Sequence, residues 1–397
     1  MGGLVDIPLS RLSCLRSGTA TRVNASGLIE VVPADTPRID YDPVTLACRG
    51  LLVEEGRGNL WTYSADLANA AWATSSASVA ASAVTAPDGG AAQKLLEASG
   101  SAVEHSLFRV RTGSTETLTA SIYARAAERS RIQIYFANFA SSTAAALFDL
   151  SAGTVAAQPV ASTDYTSPSA AIAPAGNGWY RCSLTATKGA ANTATAAIFC
   201  PHDGTGTVYA GDGSSGLYLW GAQLELGAFP TSYMPTTTAT VARSGEAVSM
   251  PLAGWWNASA GTLLLESAYE GRLPPGVFAA AACLDDGTFA NRIMLMDNPG
   301  AGRGLAVVKN GTSQALEYGP AATIGAVTRE AAAWAVNDFA YCTGGGSVLT
   351  DGLGQVPAVT TLRLGSIVTV PVGARHIRRV EIFSRRLPAA DLQSLTA

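Results

Sequence analysis

The sequence predicts an all-β protein made of more than one antiparallel sandwich or barrel. Three observations lead there. Short runs alternate apolar and polar residues with a period of two, Asn-Gly and Asp-Gly pairs punctuate them, and helical periodicity is confined to the last few residues. At 397 residues the chain exceeds one ordinary core, and roughly 100–200 residues per domain suggests two or three.

The elements follow in order. Up to about Gly58 the chain is rich in Pro, Gly and Asp, with only brief alternations such as Leu28-Ile-Glu-Val-Val32. Such a segment is too poor in apolar mass for its own core, so residues 1–58 are expected to be extended and to gain order by docking on a neighbouring chain. Residues 59–240 form the second zone. Leu118, Ala120 and Ile122 alternate with Thr119, Ser121 and Tyr123, and Ile132, Ile134 and Phe136 with Arg131, Gln133 and Tyr135. Further strands are predicted at Trp179–Thr185, Ala196–Cys200 and Leu217–Leu224, divided by turns at Asn177-Gly178, Asp203-Gly204 and Asp212-Gly213. Thr236–Thr240 reads as a linker.

Residues 241–397 repeat the style at Gly261–Glu266, Arg292–Met296, Thr361–Leu364 and His376–Phe383. Only Pro388–Leu395 has helical character, with Leu392 and Leu395 on one face. No heptads and no fixed-period repeat occur.

Composition narrows the function. Apolar residues make up 48% of the chain and charged residues 14%, which suits packed sheets and argues against disorder. A net charge of −4 offers no basic stripe for phosphates, so no nucleic-acid partner is expected. The start, Met1–Asp6, has no cationic region, and no run approaches 18 apolar residues, so a soluble, unsecreted product without membrane insertion is expected. Cys14, Cys48, Cys182, Cys200, Cys283 and Cys342 show no framework spacing and read as free thiols, a Cys182–Cys200 bridge being the weaker reading.

Particular phrases carry a resemblance. Pro37-Arg-Ile-Asp-Tyr-Asp-Pro43 and Gly50-Leu-Leu-Val-Glu-Glu-Gly-Arg-Gly-Asn-Leu60 resemble the head of a large family of bacteriophage and prophage virion proteins. Asn59–Trp72, Gly176–Cys182, Tyr218–Glu225 and Thr231–Pro235 look like a carbohydrate-binding-module-like jelly roll. Gly261–Glu266, Asp285–Ile293, Gly373–Val380 and Arg385–Leu395 are similar to laminin-G or concanavalin A-like domains of phage proteins. The resemblance implies a jelly-roll-like module at 59–240 and a concanavalin A/laminin-G-like sandwich at 241–397. It also implies a tail or head fibre or spike, made in the bacterial cytoplasm and located in the virion. Its partners would be other virion proteins and host-surface polysaccharide, and its assembly a homo-oligomer, most readily a trimer. Arg38, Asp40, Tyr41, Asp42, Glu54, Glu55 and Arg57 are then the candidate particle-docking residues.

A flat indole covers the C–H face of a sugar ring, so Trp179, Tyr180, Trp255 and Trp256 are the glycan-binding candidates, whereas Trp220 shares a strand face with Leu224 and reads as core. Asp203, Asp212, Asp285 and Asp286 in Gly-rich loops are candidate calcium ligands, although turn formation is the commoner role. A structural calcium ion is the one cofactor left open. His105, His202 and His376 lack zinc-ligand spacing. Glu54 and Glu55 are strand neighbours facing opposite ways, unlike the paired acids of glycoside hydrolysis, and nucleophile elbows, phosphate loops and dinucleotide fingerprints are missing. Arg379 and Glu381 read as a surface ion pair. A chain that is not an enzyme is therefore expected, with a passive decoration protein and a capsule or lipopolysaccharide depolymerase as the alternatives.

Overall fold

The computed structural model describes residues 4–6, 11–113, 115–138, 143–189, 194–252, 256–271, 277–298, 301–368, 370–371 and 373–397. Among these residues the chain is almost entirely antiparallel β-structure, with one helix at Ala389–Thr396. Strands assemble into two sandwiches, as the alternation predicts.

The first sandwich faces two six-stranded sheets. One runs Tyr165–Pro174, Trp179–Lys188, Glu116–Ala126, Gly216–Leu226, Ala91–Glu97, Ala77–Thr85 in spatial order, and the other Thr154–Ala157, Thr143–Asp149, Arg131–Ala137, Ala194–His202, Ser106–Thr112, Ala73–Ser75. Period-two patterning decides which side chains meet between them. Leu118, Ile122, Ile132, Ile134, Phe136, Phe148, Leu184 and Phe199 form the core, closed by Trp61 against Trp72.

The second sandwich takes strands from both ends of the sequence. Its larger sheet orders Leu349–Asp351, Asp338–Thr343, Val327–Ala335, Ala260–Tyr269, Ala374–Phe383, Cys48–Glu54 and Arg38–Tyr41, and Leu4–Asp6 also pairs with Ala374–Phe383. The facing sheet begins with Ser13–Leu15 and Ala247–Pro251 and continues through Thr361–Leu364, Ala279–Asp285, Arg292–Asn298, Gly302–Lys309 and Thr312–Tyr318. Cys14, Leu51 and Val53 are buried in this core beside Leu263, Leu295, Leu305, Trp334 and Leu362.

This arrangement corrects the expectation for the first fifty-odd residues. Cys14, Leu51 and Val53 complete the second sandwich and Ile29 packs on the Trp179 cluster of the first, so the segment gains its order from its own chain. A buried charge cluster fastens it. Arg38 Nη2 pairs with Glu54 at 2.8 Å and with Glu246 at 2.6 Å, Arg16 reaches Glu246 at 3.1 Å, and Arg243 reaches Glu54 at 2.6 Å. All five side chains are buried. Glu54 also accepts hydrogen bonds from the Ser232 amide and hydroxyl, which ties in the segment joining the two sandwiches.

That segment is no loose linker at its start. Thr236 is buried and donates through Oγ1 to Trp61 O at 2.7 Å. The Gly58-Asn59 phrase also gains a cause: buried Asn59 donates to Ala222 O and Met234 O and accepts from the Trp61 and Leu224 amides. The six cysteines are free, and burial pushes the Cys182 thiol well up.

Candidate functional site: a polar cleft at the module junction

Few of the sequence-chosen aromatics are open. Trp179 is buried with Trp220, Tyr123 and Tyr233 and donates its indole N–H to Thr85 O, so it cannot act as a stacking platform. Tyr180 is half-buried against the first core. Trp256 stacks on Trp334 at 5.6 Å and is half-buried, while Trp255 lies outside the described residues.

The four aspartates are occupied by local donors. Asp203 accepts from the Thr205 and Gly206 amides, Asp212 from the Ser214 and Ser215 amides, and Asp286 from the Thr288 amide and the Asn291 side chain. Asp285 is buried, bound by Arg363 at 2.7 Å and the Gly287 amide at 2.8 Å. The backbone contacts are turn-forming geometries, and Asp285 is in addition held in a buried ion pair. No group of three or more His, Cys, Asp or Glu side chains arranged to hold a metal occurs among the described residues.

The docking candidates separate into two sets. Arg38, Asp40 and Glu54 are buried within the chain, which corrects their assignment to an external particle surface. Tyr41, Asp42, Glu55 and Arg57 are partly open. Arg57 pairs with Glu55 and lies over the Phe229 ring, and Glu55 accepts the Gly373 amide, so these two are also engaged within the chain.

Asp40 and Asp42 lead instead to a cleft where the N-terminal ribbon and both sandwiches meet. One of its cavities, 290 Å³, is lined by Asp42, Thr45, Arg49, Glu270, His376 and Arg378 among others. A second, 210 Å³, shares Arg49, Glu270 and His376 with it and adds Arg22, Tyr123, Arg181 and Ser232. A third, 160 Å³, shares Asp40, Arg49, Tyr123 and Arg181 with the second.

His376 stands at the centre. Its Nδ1 lies 2.9 Å from Glu270 Oε1 and its Nε2 2.9 Å from Asp40 Oδ2. Burial alone would lower the imidazole pKa, but the two carboxylate partners outweigh it and hold the ring above its ordinary value. Glu270 answers in kind. Burial works to raise its pKa, and the His376 hydrogen bond together with the Arg49 and Arg378 charges brings it below the usual range.

Around this clamp the side chains are pre-set. Asp42 accepts the Val44 and Thr45 amides and pairs with Arg49 at 2.8 Å; burial opposes its ionisation, and these donors keep the carboxyl well below its ordinary value. Arg181 lies over the Tyr123 ring at 5.4 Å and donates to Thr231 O at 2.6 Å and Ser121 Oγ at 2.9 Å. Fixed donors and acceptors of both kinds, beside the Tyr41, Tyr123 and Tyr233 rings, suit a hydroxyl-rich ligand. Of the cleft residues, the sequence marks Asp40, Tyr41, Asp42 and Glu54 for another role and sets His376 aside as lacking zinc-ligand spacing, while nothing in it singles out Arg49 or Glu270.

No family model matches the chain, and no curated protein matches it. Solved structures align at low scores. The Ruminococcus gnavus IT-sialidase CBM40 bound to α2,3-sialyllactose covers 35% of this chain and 84% of its own at 18% identity and a TM-score of 0.29. Trypanosoma rangeli sialidase covers 81% of this chain and 62% of its own at 10% identity and a TM-score of 0.31. Mouse laminin α1 domains LG4-5 cover 73% and 90% at 12% identity and a TM-score of 0.26.

One expectation does not survive these comparisons. The sialidases are enzymes and align over 81% of the chain, so the expectation of a chain that is not an enzyme is withdrawn. At such scores the likeness names no activity for this chain.

Proposed function

We propose that this chain is a component of a phage or phage-like particle, a tail or head fibre or spike, and that it holds host-surface glycan in the junction cleft. The cleft carries the reading: confluent cavities of 290, 210 and 160 Å³ lined by pre-oriented Arg, Asp, Glu, His and Tyr side chains. Sugars present many hydroxyls that both donate and accept, and a lining of both kinds answers them without rearrangement. The sequence phrases shared with virion proteins supply the particle. Homo-oligomeric assembly, a trimer in this reading, would multiply weak sites by roughly 10²–10⁴ in avidity where geometry lets them bind together.

Two experiments test it. The full chain is applied to a glycan array that includes host capsule and lipopolysaccharide fragments, with release of reducing ends followed in the same samples. Particles lacking the chain are then compared with intact ones for adsorption to host cells. Binding on the array and loss of adsorption are expected. A full chain that binds no glycan, with normal adsorption by particles lacking it, overturns the proposal.

A further inference from the structure

Two arginines of the cleft occupy a shared kind of position. In the strand Cys48–Glu54, Asp40 pairs with Gly50 and Tyr41 with Cys48, so Arg49 is the extra residue of a β-bulge. In Ala374–Phe383, Glu266 pairs with Arg379 and Ser267 with Ile377, so Arg378 is the extra residue of a second bulge. These strands are neighbours, and their ladder ends at Ile377 opposite Leu51, next to both bulges. A bulge takes one side chain out of the pleat and re-aims it. Both re-aimed guanidiniums line the 290 Å³ cavity.

The backbone is adapted to this. Gly50, between the bulged Arg49 and Leu51, has φ of +104°, and a Cβ there would lie 2.3 Å from Ile377 O and 3.1 Å from Arg378 Cα. Only glycine lets the two bulges back onto each other so closely.

The charges in the cavity are unequally committed. Asp42 holds Arg49, and Asp40 and Glu270 share His376. Arg378 is exposed and makes no hydrogen bond or ion pair among the described residues; its charge acts on Glu270 without contact. An adjacent arginine is handled differently, since Arg379 pairs with Glu381 on its own strand.

We infer that the cavity built by the two bulges selects a carboxylate-bearing sugar, its carboxylate seated on Arg378 beside Arg49 and its hydroxyls facing Asp42, Thr45 and Glu270. A guanidinium fork matches a planar carboxylate, and the like-charged neighbour makes an anion more welcome there than a neutral group. At 290 Å³ the cavity has room for a single sugar unit.

This inference rests on the glycan-binding reading above, and the test separates the two. The full chain is titrated with acidic host oligosaccharides and with the same oligosaccharides after their carboxyls are reduced to alcohols. Binding at least about tenfold tighter to the acidic form is expected, the scale of one charge-assisted hydrogen bond. The preference should weaken as salt is raised. Arg378→Ala should abolish the preference, Arg378→Lys should keep part of it, and Arg379→Ala, which removes the same charge one residue away, should leave it unchanged. Equal binding of acidic and reduced forms, or an Arg378→Ala variant that keeps the preference, overturns the inference and leaves the glycan-binding reading standing. Binding of neither form overturns the inference, and the glycan-binding reading falls with it when particles lacking the chain also adsorb normally.

Discussion

Replacing Glu54 by alanine should unfasten the N-terminal ribbon from the second sandwich, and the structure sets the scale. The buried cluster opposes three guanidiniums, Arg16, Arg38 and Arg243, with two carboxylates, Glu54 and Glu246. Removing Glu54 leaves three cations against one anion. Arg38 keeps Glu246 at 2.6 Å, but Arg243 retains only a 3.9 Å approach to Glu246 and its bond to Glu55 O. Ser232 loses an acceptor for both its amide and its hydroxyl. Breaking one partner of a buried ion pair costs about 3–5 kcal/mol, because a charge remains desolvated and unpaired. Urea titration followed by tryptophan fluorescence should show that loss, and limited proteolysis should open cleavage between Arg16 and Glu54. Burial works against ionisation of Glu54, yet Arg243, Arg38 and Ser232 hold its pKa far below normal. Its contribution is therefore fully present above the ordinary carboxylate range and is lost progressively as pH falls below it, so the gap between wild type and variant should be constant from about pH 5 to 8. A loss under about 1 kcal/mol, the worth of an exposed pair, would refute the idea that this cluster orders the segment.

Three further outcomes are expected. His376→Gln should remove a pH dependence: because the folded-state imidazole pKa is raised, its stabilisation is full below the unfolded value and is lost as pH rises through the folded one. Thermal melts across pH 5 to 9 check this, and parallel slopes for variant and wild type would contradict it. Glu330 is buried, and desolvation outweighs Arg303 and the Tyr341 hydrogen bond to push its carboxyl to about 7. Stability should thus fall as pH rises from about 4.5 to 7, by up to about 3 kcal/mol, and Glu330→Gln should flatten that decline in urea titrations over the same range. Cys48 is exposed and the other five thiols are buried, so a thiol reagent should modify one cysteine quickly in the folded chain and six after unfolding; two fast sites would require a different packing.

The all-β class was legible because alternation at Leu118–Tyr123 and Arg131–Phe136 is a local signal, and each half of it lands on its own face of the first sandwich. The path of the N-terminal segment was not legible, because Leu4–Asp6, Ser13–Leu15 and Cys48–Glu54 pair with residues more than two hundred positions away; Leu51 meets Ile377. Poverty in apolar residues said correctly that the segment needs a partner surface, but not whose. Trp179 misled for a related reason. A tryptophan beside an Asn-Gly turn reads as exposed until the ribbon residue Ile29 and the segment bearing Tyr233 cover that face. The cleft did leave a trace. Ile377 reaches the second core, and so do Val380 and Ile382, which is one residue out of phase for a regular strand. That slip marks the bulge at Arg378, and a doubled Arg-Arg within an alternating strand was its visible sign.

The two features that sequence reading missed depend on each other. A cleft formed between modules presents a fixed lining only if the modules cannot rock, since rotation would shift Arg181 and Tyr123 away from His376 and Asp40. Asp40, on the N-terminal segment's strand Arg38–Tyr41, belongs with Glu270 and His376 to the second sandwich, whereas Arg181 and Tyr123 belong to the first. The buried cluster of Arg16, Arg38, Arg243, Glu54 and Glu246, together with Ser232, joins the ribbon to the second sandwich and the connecting segment immediately beneath that lining. Buried ion pairs are a poor source of net stability compared with apolar packing. What they supply here is orientation, because each guanidinium fork donates to its partners in few directions. Loosening the cluster should therefore weaken ligand binding before it unfolds either sandwich, since binding pays for any reordering of the cleft.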